Sequence, residues 1–591
     1  MSSRLLTLLV IAFATAACGP AEDGSATSPE AGASAALAQL FQEEWDWRMA
    51  EQPVTATYAG VHGYDDRLAS VTPEAQAARA AYWRGILARL DEIEPLLTGD
   101  AERINARMFR RQMEGYVADI GFRAYEMPFN SDSGFHSDFA QLPDATSLLT
   151  TADYEHYIAR LRDWPRLASE EVANMRAGID RGFTVPRAVL DGYDRTFALH
   201  VVDDPEASVF YAPFTHFPAT IAATERERLT AAGRTAISEA TIPTYAMLLD
   251  FFRDEYLPGA RTTIGASELP EGAAYYAEQV RWYTTLDLSP AEIHQIGLDE
   301  VARIHAEMEA IIEEVGFDGS FDEFLTFLRT DPQFYASTPQ QLLEHAAWIA
   351  KTMDGKLPSL FGTLPRLPYT VSPVPADIAP TYTAGRYVPP PNGGTQPGQY
   401  WVNTYDLASR PLYTLPSLTL HEAVPGHHLQ GALALEQEAQ PEFRRNDYIS
   451  AYGEGWGLYS EYLGVEAGVY RTPHERFGRL TYEMWRAVRL VVDTGIHSMG
   501  WSRQQVLDYM AANTALSLHE IETETNRYIS WPGQALSYKL GELKIRELRA
   551  RAEATLGERF DLRAFHDAVL ANGSVPLDVL ESEIDAWIAE Q

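Results

Sequence analysis

The chain has 591 residues, 46% of them apolar and 22% charged, which is long enough for a large core and excludes wholesale disorder. Its 83 acidic residues against 47 basic ones leave a formal charge of -36, the opposite of the basic footprint of a nucleic-acid binder. A single cysteine, Cys18, excludes any internal disulfide.

In chain order, Arg4 precedes an apolar run from Leu5 to Phe13 that is too short to span a bilayer, and Ala14-Thr15-Ala16-Ala17-Cys18 follows. This is the pattern of a secretory signal over residues 1–18 that ends in a lipobox, with Thr15 where Leu is usual. Cys18 is the expected lipidation site, and the lipid anchor is the only expected membrane contact. Gly19 rather than Asp follows it, which by resemblance to lipoprotein sorting points to the outer membrane, facing the periplasm or cell surface. Residues 19–34, rich in Ala, Ser, Gly, Pro and acid, read as a flexible tether. Helical periodicity then dominates residues 35–591, read as a single helical unit: 35–49, 73–93, 101–120, 151–182, 186–200, 241–257 and 289–315. Between them, 127–142 breaks the pattern with Asn, Ser, Gly and aromatics, and its lone histidine, His136, reads as structural. Proline accumulates over 357–415, where Tyr369-Thr370-Val371 and Tyr400-Trp401-Val402-Asn403 predict a small sheet able to pair with an extended peptide. Helices resume at 417–436, 448–467, 474–499, 503–512, 515–524, 534–555, 562–571 and 577–589.

The first of these carries Thr419-Leu420-His421-Glu422-Ala423-Val424-Pro425-Gly426-His427-His428-Leu429-Gln430, with three of the fifteen histidines and a glutamate beside the first. Histidine is the commonest side-chain ligand of transition metals, and an adjacent His-Glu pair with a later His is how zinc hydrolases place two ligands and a base. The residue at i+4 is Pro425, which cannot ligate. On an ideal helix i+6 and i+7 lie about 9 and 10.5 Å further along the axis, against about 6 Å for i+4. The helix must therefore be distorted if His427, or alternatively His428, is to join His421. A third ligand is expected from an acid on the next helix: Glu454 follows His427 by 27 residues, room for a helix, a turn and a return, and Glu461 lies two turns further on the same face. Glu422, about 100° round the helix from His421, is placed beside the metal as general base.

Glu454-Gly455-Trp456-Gly457-Leu458-Tyr459-Ser460-Glu461 resembles the third-ligand helix of gluzincin metallopeptidases. Together with the histidine segment, Asp493-Thr494-Gly495-Ile496-His497 and Arg527-Tyr528-Ile529-Ser530-Trp531-Pro532-Gly533-Gln534-Ala535-Leu536-Ser537-Tyr538, it resembles the bacterial domain-of-unknown-function 885 family over nearly the whole mature chain. The resemblance implies a mainly α fold, a large helical zinc-peptidase-like body with a small β-rich segment beside the active-site helix. It also implies one zinc ion per chain on His421, His427 and Glu454. By analogy with related helical zinc peptidases, Tyr538 and His497 are the expected donors to the oxyanion, with Asp493 orienting His497 from one turn away. Arg527 beside Tyr528 is the expected grip on a substrate carboxylate. The expected activity is a secreted zinc metallopeptidase acting on oligopeptides. The alternatives are a non-catalytic zinc- or peptide-binding envelope lipoprotein, which has no need of Glu422, and a zinc hydrolase of a non-peptide amide or ester. Nothing in the sequence signals an oligomeric state.

Overall fold

The computed structural model describes residues 29–591 except 132, 377–378, 380–381, 391–395 and 438. The signal segment with Cys18 and most of the tether lie outside the described residues. Helix begins within the expected tether: Pro29–Glu51 is one helix, with Ala33, Leu37 and Leu40 buried along it. The small residues that suggest a linker include good helix formers, and Pro suits a first helical turn.

The described chain is mainly helical, as expected. Side-chain caps set several boundaries. Thr150 and Asp153 form a capping box at the start of Thr151–Arg181, and Gly182 at φ 77° ends it. The expected helix over 186–200 is absent. In its place stand a turn at Arg187–Val189, Gly192 at φ 73° and a four-residue helix, Arg195–Ala198. Conversely, 241–257 belongs to a longer helical run, Ala223–Gly259, that widens into two π-helical turns at Ile237–Thr241 and Phe252–Tyr256. In the 127–142 segment His136 is fully buried, stacked on Phe197 with centroids 3.9 Å apart and bonded through Nε2 to Thr196 Oγ1. Burial pushes its pKa down to about 3, so it is a neutral core residue.

Seven helices build the site, numbered in chain order: α1 (Pro290–Val315), α2 (Leu415–Glu422), α3 (His427–Leu435), α4 (Ser450–Glu466), α5 (Pro473–Met499), α6 (Leu518–Ser530) and α7 (Ser537–Leu556). α5 is the axis of the molecule: every residue from Leu480 to His497 is buried. α1 packs along it and α4 packs on α7. The second crossing is close because Gly455 faces Gly541, where a Cβ on Gly455 would lie 2.5 Å from Gly541 Cα. Buried Lys539 of α7 pairs with Glu483 of α5 and Glu542 at 2.8 Å each and with Glu300 of α1 at 2.9 Å, joining three helices through compensated charge.

The expected sheet is present with one more strand: β1 (Tyr369–Pro373), β2 (Gly385–Val388) and β3 (Gly398–Val402), in the order β1-β3-β2. β3 runs parallel to β1 and antiparallel to β2. Asn403 N donates to Ala384 O, so the 384/403 and 386/401 pairs carry the ladder bonds, and Gly385 and Tyr387 turn their N–H and C=O groups to the open edge. That edge runs past α2. Among the described residues no helix is long and apolar enough to cross a membrane.

Candidate metal centre

The histidine segment is two helices rather than one bulged helix. α2 stops at Glu422, Ala423 leaves helical geometry at ψ -107°, the Val424–Pro425 bond is cis, and α3 starts at His427. Pro425 has no N–H to continue the ladder and Gly426 restarts it, donating to Leu420 O. The break folds the chain back so that the His421 and His427 rings meet edge to face, with centroids 4.8 Å apart.

Glu454 arrives from α4 through four consecutive side-chain roles. Glu454 points into the cluster. Gly455 closes the α4–α7 crossing. Trp456 Nε1 donates to Pro425 O at 2.8 Å, fixing the broken segment against α4. Gly457 leaves room for the His421 ring, since a Cβ there would lie 2.7 Å from its Cε1 and Nε2. One ligand atom each from His421, His427 and Glu454 then lies within 4.8 Å of the others. Glu454 Oε2 is 3.4 Å from His421 Nε2 and 3.5 Å from His427 Nε2. Glu461, two turns along α4, accepts from His421 Nδ1 at 2.9 Å, which turns Nε2 toward the cluster.

Acidic charge converges on His421. Burial opposes the charged form of His421, yet its bonds to Glu454 and Glu461 raise its pKa to about 10. Burial works against the Glu454 carboxylate too, and His427 and His421 hold it well below the ordinary value. Two imidazole nitrogens and a carboxylate oxygen are a zinc-type donor set. His428 does not join it: its ring lies against Tyr369, Nδ1 meets Tyr387 OH at 3.3 Å, and burial lowers its pKa to about 4. Glu422 stands beside the cluster, half-buried, with Oε2 accepting from Tyr387 N at 2.8 Å.

The residues expected from the C-terminal motifs separate into two groups. Tyr538 is half-buried, its ring flanked by the guanidinium groups of Arg489 at 4.3 Å and Arg486 at 5.8 Å, and Arg486 reaches to 3.9 Å from Glu461. His497 is corrected to a structural residue. It lies roughly 16 Å beyond Arg486 along α5, and both ring nitrogens are engaged, Nδ1 by Ala266 N at 3.0 Å and Nε2 by Tyr528 O at 2.8 Å. Asp493 does not orient it, since Asp493 accepts from Tyr276 OH and Gly533 N, and burial drives the His497 pKa down to about 3. Tyr528 is likewise corrected: its buried hydroxyl already accepts from Trp485 Nε1 and Arg489 Nε. The carboxylate that Arg527 holds is that of Glu524, with Gln534 on its other side.

Two residues escape the motifs. Tyr448, in the loop before α4, donates to Glu454 Oε1 at 3.2 Å. It is 57% exposed, yet burial and then the Glu454 charge push its pKa well up. Arg386, exposed on β2, feels the charges of both Glu422 and Glu454. Neither has a spacing signature in the sequence.

A family profile described as "Bacterial protein of unknown function (DUF885)" matches residues 53–584. A search of curated proteins finds no match. Among solved structures, a "putative lipoprotein" from Colwellia psychrerythraea is 30% identical and superposes with a TM-score of 0.87 over 95% of this chain and 100% of its own. A "putative lipoprotein of unknown function" from Shewanella oneidensis is 18% identical, with a TM-score of 0.72 over 92% of this chain and 99% of its own, a likeness of fold.

Proposed function

The chain belongs to the DUF885 family of bacterial proteins, and from its site we propose that it is a zinc-dependent hydrolase of oligopeptides, held at the bacterial envelope by a lipid on Cys18. The observation that carries the reading is the convergence of His421, His427 and Glu454 ligand atoms within 4.8 Å, with Glu422 beside them. The lipoprotein description of the two similar structures supports the anchor.

Zinc in that donor set would supply a Lewis acid and lower the pKa of a water to near neutrality. The chain's own groups do the rest. Glu422 takes the water's proton on the carboxylate oxygen not engaged by Tyr387 N and delivers it to the leaving amine. The open edge of β2 pairs with an extended peptide through the Gly385 backbone groups and the Tyr387 carbonyl, the Tyr387 N–H staying on Glu422. The hydroxyls of Tyr538 and of Tyr448, the latter turning from Glu454 Oε1, donate to the oxygen that gains charge as the water adds.

The test is metal content of the mature chain from Cys18 onward, expressed without its lipid, beside His427→Ala and Glu454→Ala. About one zinc per chain, lost in both variants, is expected. Glu422→Gln should keep the zinc and lose peptide hydrolysis by about 10²-fold or more. An unaltered protein that takes up no zinc on reconstitution overturns the proposal.

A further inference from the structure

A cavity of about 340 Å³ is lined by Leu418 of α2, one helical turn before Glu422, and no step above uses it. Three elements connect it with the cluster. Leu418 and Glu422 share one face of α2, about 6 Å apart along the axis. Ala384 lines it at the start of β2, three residues before the Tyr387 N–H that holds Glu422. Tyr482 of α5 lines it one turn before Arg486, which approaches Glu461. Strand and helix touch at its rim: a Cβ on Gly385 would lie 3.1 Å from Leu418 Cδ2. A peptide paired along β2 would therefore carry one side chain over this opening.

We infer that this cavity is the pocket that selects a large apolar or aromatic side chain of the substrate next to the bond that is cut; the inference rests on the hydrolase reading. The volume sits at the small end of ligand pockets, about 300 Å³ and upward, enough for one large side chain rather than a folded segment. The walls are mostly apolar, with Leu342, Leu415 and Leu516 beside those named. The charges at its foot disfavour a basic occupant. Arg329 and Arg410 stand against one acid, Glu520, and burial followed by the nearby Glu524 charge pushes the Glu520 carboxyl up to about 7. Arg329 is already committed to the carbonyls of Leu516 and Thr514.

The pocket is tested by binding, apart from turnover. Zinc-loaded Glu422→Gln protein is titrated with blocked pentapeptides carrying Ala, Phe, Lys or Glu at either of two adjacent central positions. At one of the two, Phe should bind at least about 10-fold tighter than Ala, Lys or Glu. That preference should vanish in a second protein that also carries Leu418→Trp. A third carries Ala408→Trp instead, at the exposed mouth where folding is least disturbed. Equal affinities, a preference for Glu or Lys, no peptide binding, or a Phe preference that survives both fillings overturns the inference. If the unaltered enzyme hydrolyses peptides without that preference, the pocket fails while the hydrolase stands. If it hydrolyses none but binds Phe peptides as described, the hydrolase reading fails and takes the cleavage-site assignment with it, while the cavity remains a side-chain pocket.

Discussion

Glu461 decides which nitrogen of His421 faces the cluster. Its carboxylate accepts from Nδ1, which leaves Nε2 directed inward. Glu461→Gln retains an acceptor but not the charge, and should weaken zinc binding by about tenfold in competition with a chelator; unchanged affinity would mean that α4 alone sets the ring. Tyr448 reaches the cluster through Glu454. Tyr448→Phe should keep the zinc and lower kcat by about 10²-fold, whereas an equal loss confined to Tyr538→Phe would assign the oxyanion donor to α7. These two residues mark how much of the site the sequence reveals. His421, Glu422, Glu454 and Glu461 are legible because two short motifs fix their spacing on helices. Tyr448 is not, because a tyrosine in a loop carries no period. His497 and Tyr528 mislead for a different reason: a buried polar group must find partners, so core residues bonded to backbone and arginine have the same composition as a catalytic cluster.

Among the elements, the segment between α2 and α3 shows what a helical period conceals. The sequence demands a distortion, since Pro425 occupies the usual ligand position, but the pattern continues smoothly on either side and gives no sign of a full break. The break is held from outside, by Trp456 on Pro425 O and by the space at Gly457. Gly457→Ala places a methyl group 2.7 Å from the His421 ring, too close for any real contact. It should cost about 1–3 kcal/mol by overpacking, together with zinc affinity, because ring and helix cannot both stay in place. Gly85→Ala, in an exposed helix with nothing within 4 Å of the new carbon, is the control and should be stabilising by up to about 1 kcal/mol. A Gly457→Ala protein with unaltered melting and zinc binding would remove the close approach from the explanation. Other helix boundaries follow the reading well wherever a capping residue and a terminal glycine agree. They fail at 186–200, where an apolar period survives in a stretch that Gly192 breaks up.

For the molecule as a whole, the buried titratable groups make opposed contributions to acid stability. Away from the metal cluster, burial lowers several histidines, among them His136 and His497 to about 3 and His200 and His566 to about 4. It also raises several carboxyls, among them Asp119 to about 6, Asp493 and Glu520 to about 7 and Glu171 to about 8. Below pH about 6.5 the unfolded chain protonates each histidine and the folded chain does not, so acidification removes stability there. At each carboxyl the folded chain protonates first, and acidification adds stability until the unfolded value near 4 is reached. Between pH 6.5 and 4.5 these two sets oppose each other, so their contributions to stability offset in part. Removing one histidine tilts the balance. In His136→Gln, whatever the offset at pH 6.5, stability relative to the unaltered protein should rise by about 2 kcal/mol on going to pH 4.5, because one proton no longer favours the unfolded chain. Chemical denaturation of both proteins at the two pH values measures it. Parallel pH dependences would show that His136 titrates in the folded protein much as it does in water, and that its place against Phe197 is more open to solvent than the packing implies.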